Sequence, residues 1–292
     1  MKDALVTIGL PVYNVSPREA WFRRAIGSLL VQTYPHFELI IADDGSIDET
    51  SLICKEYADR DNRIRYIRHE KNQGQLANIY FVLRAAKGKY FMLASDDDIW
   101  EPHFIEKLIE PLEKNPQYHV AMGSFDRFYD DGSPKDRIIL QNDLDCTCQN
   151  HLAVHKKILF DAPLHIYLYG LFRTPFLRKI FSRPAPRCLR WDRVVMAEIA
   201  LATPFFSVPE RVFLKQYNRV SSRVRYAGQQ IGKMYYVPFA YTRYVGMIGW
   251  WVLTSRMVPL HRKLLQLPNW ALFAWSGKRG IFREIMKALS VS

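Results

Sequence analysis

Four cysteines are too few to staple a chain of 292 residues, so a disulfide scaffold is excluded and a reducing compartment suits the composition. Long apolar runs are missing as well. The longest uncharged stretches near the end, residues 244–255 and 264–277, fall short of the ~18 apolar residues a spanning helix needs. No membrane crossing is expected. Met1-Lys2-Asp3 leads into a short apolar run with no small-residue cleavage site, so no signal peptide is expected either. Internal repeats and low-complexity tracts are absent. Scarcest of all is acid in the second half: from Arg211 onward the only carboxylate side chain is Glu284.

What is present is a globular composition with a sharp charge split. With 49% hydrophobic and 24% charged residues the chain can bury a large core, and disorder is excluded. The net charge of +12 is unevenly spread: residues 1–150 sum to −6 and residues 151–292 to +18. Such a split marks two functional regions, and the basic one suits phosphate-rich partners, nucleic acid or an anionic membrane surface.

Along the first 130 residues short apolar runs alternate with amphipathic segments. Leu5–Leu10, Phe37–Ala42, Ile64–Ile67 and Tyr90–Ala94 read as strands. Residues 18–32, 48–60 and 75–86 read as helices, and another helix opens at Pro102, whose missing N–H costs nothing in a first turn. This alternation predicts an α/β fold with a mostly parallel sheet covered by helices on both faces. Ligands of such sheets bind at the carboxyl ends of the strands. Those ends carry Pro11-Val12-Tyr13-Asn14, then Asp43-Asp44-Gly45-Ser46, then Ser95-Asp96-Asp97-Asp98. Ser46 and Glu49 have the spacing of a capping box for the following helix. Carboxylates crowded at strand ends repel one another unless a cation lies between them, and Mg²⁺ or Mn²⁺ shared with a substrate diphosphate suits that need. A single acidic turn is often only a helix cap; two such turns ending neighbouring strands are harder to dismiss.

On these residues the chain resembles glycosyltransferases of family 2, which have the Rossmann-like GT-A fold of nucleotide-diphospho-sugar transferases. The resemblance runs from Val6–Asn14 through Ser28–Tyr34, Phe37–Ser46, Asn72–Gly74 and Gly88–Tyr90 to Ser95–Pro102, in matching order and spacing. It implies that Pro11, Tyr13, Asn14 and Asp44 hold the base and ribose of the donor, Tyr13 lying against the base. It implies Asn72, Gly74 and Asn78 on the nucleotide side, Asp96 at the ribose or the metal shell, Asp97 as direct metal ligand and Asp98 supporting the metal. Relatives often have an Arg-Asn pair where this chain has Ile79-Tyr80. Family 2 enzymes are inverting, with one carboxylate base some 90 residues beyond the metal motif at the start of a helix. Asp192 fits that place, ahead of an apolar helix over Val194–Ala202; an N-cap or an ion pair with Arg190 or Arg193 is its structural reading. Asp161 and Asp143 are fallback candidates. The segment Gln216–Ser222 resembles the basic, Ser-containing stretch of non-processive relatives, a cationic clamp on a diphosphate. Processive synthases carry Gln-x-x-Arg-Trp; here Arg187 stands at the Gln position before Arg190-Trp191.

The expected organisation is a donor-binding half over 1–130, an acceptor and base half over 131–234, and a basic, aromatic, helical appendage over 235–292. In the last helix Ile281, Ile285 and Leu289 oppose Arg279, Arg283 and Lys287, the pattern of a helix lying in a membrane interface. Packing on the catalytic domain and self-association through the same apolar face are the alternatives. Cys146-Thr147-Cys148 with His151 and His155 has tighter spacing than a structural zinc site and reads as a loop thiol pair and a helical histidine pair. The reading that follows is a metal-dependent, inverting, non-processive transferase, with a UDP-sugar donor and a glycan or lipid-linked acceptor. It would work in the cytoplasm or peripherally on the cytoplasmic face of the membrane. Rival readings are a sugar nucleotidyltransferase, whose Gly-rich basic loop is missing after the first strand, a nucleic-acid binder using the basic half, and an inactive partner subunit. No nucleic acid is expected, because the acidic strand ends repel phosphate.

Overall fold

Val6–Val12 (β1) and Phe37–Asp43 (β2) are almost unbroken apolar runs, the signature of strands buried on both faces. In the computed structural model of the protein they pair in parallel, Val6 opposite Phe37 and Val12 opposite Asp43. The structure describes residues 4–129, 131–138, 151–160, 167–184, 186, 188, 190–217 and 239–289. Its contacts divide the chain into two compact units. One comprises Met1–Cys146, Tyr169–Phe181 and Phe205–Val220; the other comprises Thr147–Leu168, Ser182–Pro204 and Ser221–Ser292.

The first unit holds the sheet. Ile64–Arg68 (β3) pairs in parallel with β2, and Tyr90–Leu93 (β4) pairs in parallel with β1 on its other side. The connections are Glu19–Leu30 (α1), Thr50–Arg60 (α2) and Gln75–Ala85 (α3), and Phe104–Lys114 (α4) follows the acidic turn. Strand–helix alternation therefore builds the parallel half that the periodicity predicts. Beyond β4 come Ile99–Trp100 (β5), Val120–Tyr129 (β6), Pro134–Ile138 (β7), Leu171–Arg173 (β8) and Phe205–Tyr217 (β9). The strand order is β3-β2-β1-β4-β8-β6-β9-β5, with β7 as a hairpin partner of β6. β8 enters antiparallel between β4 and β6, while β9 runs parallel to β6. The two-residue strand β5 is too short to stand on its hydrogen bonds. Its anchor is Trp100, 1% exposed, with its ring centroid 5.3 Å from that of Phe213 on β9. Burying a large apolar side chain contributes roughly 1.5–3 kcal/mol, which pins the residues immediately after Asp98.

One local expectation is corrected. Ser46 and Glu49 form no capping box: α2 starts at Thr50, and Glu49 is its N-cap with no side-chain cap bond. Ser46 Oγ instead accepts the Asn14 N–H at 2.9 Å, and Asp48 Oδ1 takes the Thr50 N–H at 3.0 Å. The reason lies in Gly45, whose φ of +70° turns the chain back before the helix can begin.

The second unit is helical: His151–Phe160 (α5), Trp191–Ala202 (α7), Ala240–Leu253 (α8), Leu260–Leu265 (α9), Leu267–Ser276 (α10) and Lys278–Leu289 (α11), while Thr174–Ile180 (α6) belongs with the sheet. α7 is buried from Arg193 to Leu201 and so carries two charged side chains inside, Arg193, which donates to the Leu159 carbonyl at 3.1 Å, and Glu198. That carboxylate meets Arg183 at 2.9 Å and the Ser255 hydroxyl, and Arg183 stacks on Trp251 at 3.7 Å. A buried acid joined to Arg183 and Ser255 ties α7 to the α8 end. The expected C-terminal helix forms over Lys278–Leu289. The side chains of Arg279, Arg283, Ile285, Lys287 and Leu289 lie outside the described residues.

Candidate active site

The carboxyl ends of β1, β2 and β4 come together in the first unit, and their loops are sewn to one another before any ligand arrives. Asn14 has φ +47°, in the left-handed region that Arg190 and Phe239 also occupy among the described non-glycine residues, and its side chain explains why Asn is suited there. Its Oδ1 accepts the Ile47 N–H at 3.0 Å while its own N–H donates to Ser46. The stitching continues with Val15 N–H to Thr50 Oγ1 at 2.8 Å and Ser16 N–H to Asp48 Oδ2 at 3.1 Å. Pro11 and Tyr13 are half-buried on this rim.

Asp44 lies at the centre, 1% exposed. Its two oxygens accept the N–H groups of Gln73 and Gly74, each at 2.8 Å. Burial pushes the Asp44 carboxyl up, and the two N–H donors pull it back down. Gly74 has φ +96°, a backbone state that L side chains rarely adopt, so the donation to Asp44 requires glycine. Asn72 is half-buried beside it. Asn78 is buried at the foot of α3: its amide donates to the Ala42 carbonyl at 2.7 Å and its Oδ1 lies 3.2 Å from His69 Nε2. Asn78 therefore joins α3 to the end of β2. At the departure Ile79-Tyr80, Ile79 is buried and Tyr80 packs edge-on against Phe181, with centroids 4.9 Å apart.

The acidic turn after β4 is held from two sides by cations. Arg18, just ahead of α1, reaches Asp96 Oδ2 at 2.8 Å and Asp97 Oδ2 at 3.7 Å. Ser95 Oγ donates to Asp97 Oδ1 at 2.7 Å. On the other side Lys215 Nζ lies 2.6 Å from Asp98 Oδ2, and the Gln216 N–H donates to Asp98 Oδ1 at 2.9 Å. The Gln216 side chain lies 3.2 Å from the Asp97 carbonyl and Oδ2, where its amide nitrogen donates. Lys215 also sits 4.5 Å over the Tyr169 ring. Desolvation pulls Lys215 down, but the Asp98 carboxylate outweighs it and holds the ammonium well above its ordinary range. Burial pushes the Asp98 carboxyl up against the pull of Lys215. With a donor on each oxygen, the ionised pair is the state this geometry supports.

The three aspartates thus have different surroundings. Asp98 is sealed in its ion pair, while Asp96 and Asp97 face Arg18. Among the described residues no group of three or more His, Cys, Asp or Glu converges as a ready-made metal cage. That donor set, one or two carboxylates and no soft ligand, fits a hard cation that completes its shell with substrate phosphates. Sequence reasoning singled out the acids and missed their partners Arg18, Lys215 and Tyr169. The signal for Lys215 was a lone cation next to the Gln216–Ser222 segment, but nothing local told which face of β9 it takes.

Asp192 belongs to the helical unit. α7 starts three residues earlier than expected, so Asp192 lies inside the first turn and the N-cap is Arg190, in the left-handed conformation at φ +51°. A carboxylate there faces the positive end of the helix dipole. Burial pushes the neighbouring Cys188 thiol up, and the Asp192 charge adds to the effect. His151 Nδ1 lies 3.0 Å from the Ala200 carbonyl, and His155 is wholly buried on α5. Asp143, Asp161, Cys146, Cys148, Arg187 and residues 218–222 lie outside the described residues.

Comparison with known proteins agrees with this architecture. Solved structures of S. aureus TarS, residues 1–349, superpose with a TM-score of 0.66 over 94% of this chain and 73% of theirs at 15% identity, and TarS has also been solved with UDP-GlcNAc, at a TM-score of 0.65. The mannosyltransferase PcManGT from Pyrobaculum calidifontis, solved with GDP-Man and Mn²⁺, gives a TM-score of 0.55 over 99% of this chain and 81% of its own at 14% identity. At such identities the likeness speaks for the GT-A fold. Among curated proteins, glycosyltransferase GlyA of Streptococcus pneumoniae is 34% identical over 126 residues, 43% of this chain. An uncharacterized glycosyltransferase of Haemophilus influenzae is 36% identical over 121 residues, 41% of this chain. The chain spans only 17% and 36% of the lengths of those two relatives. The profile of glycosyl transferase family 2 matches residues 7–181, more than half of the chain and all of the strand ends described above. With the loops of β1, β2 and β4 in place around Asp44 and Asp97, the chain belongs to glycosyl transferase family 2.

Proposed function

We propose that the protein is a metal-dependent, inverting, non-processive glycosyltransferase that moves a sugar from a UDP-sugar to a hydroxyl of a glycan or lipid-linked acceptor. In this reading residues 1–130 bind the donor, 131–234 receive the acceptor and supply the base, and 235–292 face the membrane, on its cytoplasmic side. The observation that carries it is the acidic turn Asp96–Asp98, pinned by Arg18 and Lys215, at the carboxyl end of β4 next to the stitched loops of β1 and β2.

Pro11, Tyr13, Asn14 and Asp44 frame the base and ribose, with Asn72 and Gly74 on the same rim. Asp97, helped by Asp96, would hold Mn²⁺ or Mg²⁺, which when bound neutralises charge on the departing diphosphate. Asp98 and Lys215 keep the turn in position, and Arg18 balances the two other carboxylates. Asp192 accepts the proton of the acceptor hydroxyl as that oxygen attacks the anomeric carbon from the face opposite the leaving group. UDP is favoured because TarS, a fold neighbour, binds UDP-GlcNAc. A metal is favoured by the Mn²⁺ in PcManGT together with the oxygen-only donor set here.

The test is a thermal-shift panel of UDP, GDP, dTDP, CDP and CMP, each with and without Mn²⁺. A ligand at 100 times its dissociation constant stabilises by about 2.7 kcal/mol. A shift with UDP that requires Mn²⁺ is the expected result. A larger shift with another nucleotide overturns the choice of UDP, an equal shift without metal overturns metal dependence, and no shift at all overturns the donor site.

A further inference from the structure

The helices after residue 239 sort their apolar side chains into two sets. One set is buried: Tyr244, Ile248, Trp251 and Phe273 are at most 6% exposed. The other set is large and stands in the open: Trp250 is 55% exposed, Leu260 70%, Leu264 55%, Leu272 52%, Trp275 67% and Phe282 63%. Adjacent Trp250 and Trp251 are split between the two sets, so exposure here is not the by-product of a missing core. The open residues follow helical spacing. On α8 the exposed positions are Arg243, Gly246, Trp250 and Leu253; on α10 they include Pro268, Leu272 and Trp275. α8, with one face buried, thus leaves Trp250 and Leu253 open. α9 and α10, with Phe273 alone buried, add Leu260, Leu264, Leu272 and Trp275 to the same series of open apolar side chains, the stripe of this region.

Charge identifies the occupant. Residues 239–289 contain eight Lys/Arg and a single acid, Glu284. That acid is already engaged: its oxygens accept the N–H groups of Tyr241 and Thr242, at 2.8 and 3.1 Å, capping the start of α8. Lys278 places its ammonium 3.8 Å over the Trp275 ring, an indole and a cation at one surface point. A second copy of the chain would bring one strongly cationic segment against another, which like-charge repulsion opposes. No helix among the described residues is long and apolar enough to cross a bilayer. We infer that this stripe docks on an anionic lipid surface, with Trp250, Leu264, Leu272 and Trp275 inserted at headgroup depth and the surrounding Lys and Arg held by lipid phosphates. The inference deepens the membrane-facing part of the proposed function. It also moves the contact upstream, from the terminal amphipathic helix to α8, α9 and α10.

The experiment is co-sedimentation of the full chain with phosphatidylcholine vesicles, with and without phosphatidylserine. It compares the wild type with Trp250→Ser/Trp275→Ser and with Arg256→Glu/Lys278→Glu, all at exposed positions where folding tolerates change. Binding is expected only with phosphatidylserine, weakened about tenfold or more by the tryptophan pair. The charge pair should weaken it further, as each basic residue near such a surface counts for about fivefold. Wild type that stays in the supernatant, or variants that bind as well as wild type, would overturn the inference. So would lipid-free self-association that the tryptophan pair abolishes, which would assign the stripe to a second copy. The nucleotide thermal shift, read on the same samples, separates the two readings. Lost vesicle binding with a retained UDP shift removes docking alone; the reverse removes the donor reading and leaves docking in place.

Discussion

Replacing Lys215 by methionine removes one charge while keeping the stem, and so isolates the ion pair beneath the acidic turn. The structure makes the two halves of that pair unequal. The Asp98 side chain is 0% exposed and that of Lys215 16%. A carboxylate left there without Lys215 keeps the Gln216 N–H and has no route to solvent, whereas a lysine without Asp98 can turn its ammonium outward. Breaking a buried pair from one side costs about 3–5 kcal/mol. Lys215→Met is therefore expected at about 4 kcal/mol and Asp98→Asn at about 1–2 kcal/mol. For a chain of this size the first loss corresponds to roughly 8–16 °C in Tm. The double variant Lys215→Met/Asp98→Asn should regain most of the loss, because no unpaired charge stays buried. Urea unfolding followed by tryptophan fluorescence measures all three, reading the midpoint at constant slope. The single variant should also bind UDP with Mn²⁺ more weakly, since the turn carrying Asp97 loses its lower support. A loss below about 1 kcal/mol for Lys215→Met, or a double variant no more stable than the single, would refute an ionised, supporting pair.

Three further outcomes are expected. Asp97→Ala should abolish the Mn²⁺-dependent part of UDP binding in calorimetry; unchanged binding removes Asp97 from the metal site. Asp192→Asn should leave donor binding intact and stop transfer in a product assay; retained turnover dismisses it as the base. Burial pushes the His155 imidazole from 6.5 down to about 4. Below pH 6.5 the unfolded chain therefore takes up a proton that the folded chain refuses until about pH 4. Stability is fully present above pH 6.5 and is lost as pH falls through that window, by about 3 kcal/mol at most. Denaturant midpoints between pH 7 and pH 4 should fall less steeply for His155→Leu than for wild type; parallel curves would mean that His155 is not the titrating group.

The parallel half of the sheet was legible because its strands are apolar runs between Gly, Pro and Asp punctuation, and a doubly covered strand needs nothing else. The acidic turns were legible because carboxylates at strand ends are costly without a purpose. What holds those turns was not. Lys215 meets Asp98 across 117 positions, and Arg18 meets Asp96 across 78; no local pattern encodes such pairings. β9 hid for a second reason: its register against β6 shifts around Ser124, so its apolar residues do not alternate cleanly. Ser46 and Glu49 misled because the capping spacing is a local rule, and the left-handed turn at Gly45 together with the Asn14 bond overrode it. In the basic C-terminal region the cations and tryptophans were visible, but only packing tells Trp250 from Trp251.

The place of β8 in the sheet sets the timetable of biosynthesis. Leu171–Arg173 is the strand that bridges β4 and β6, and β9 beyond it ends at Tyr217. While the first 146 residues leave the ribosome, β1 to β4 can pair, but the seam between β4 and β6 has no strand to fill it. At roughly 5–20 residues per second, that edge waits several seconds for its partner, with the backbone groups of residues 90–92 that β8 will pair still open. The half-made protein therefore passes through a period in which a sticky strand edge is open to any other nascent chain. Protection by a holding chaperone, or slow translation after residue 173, is the demand that this topology places on the cell that makes it.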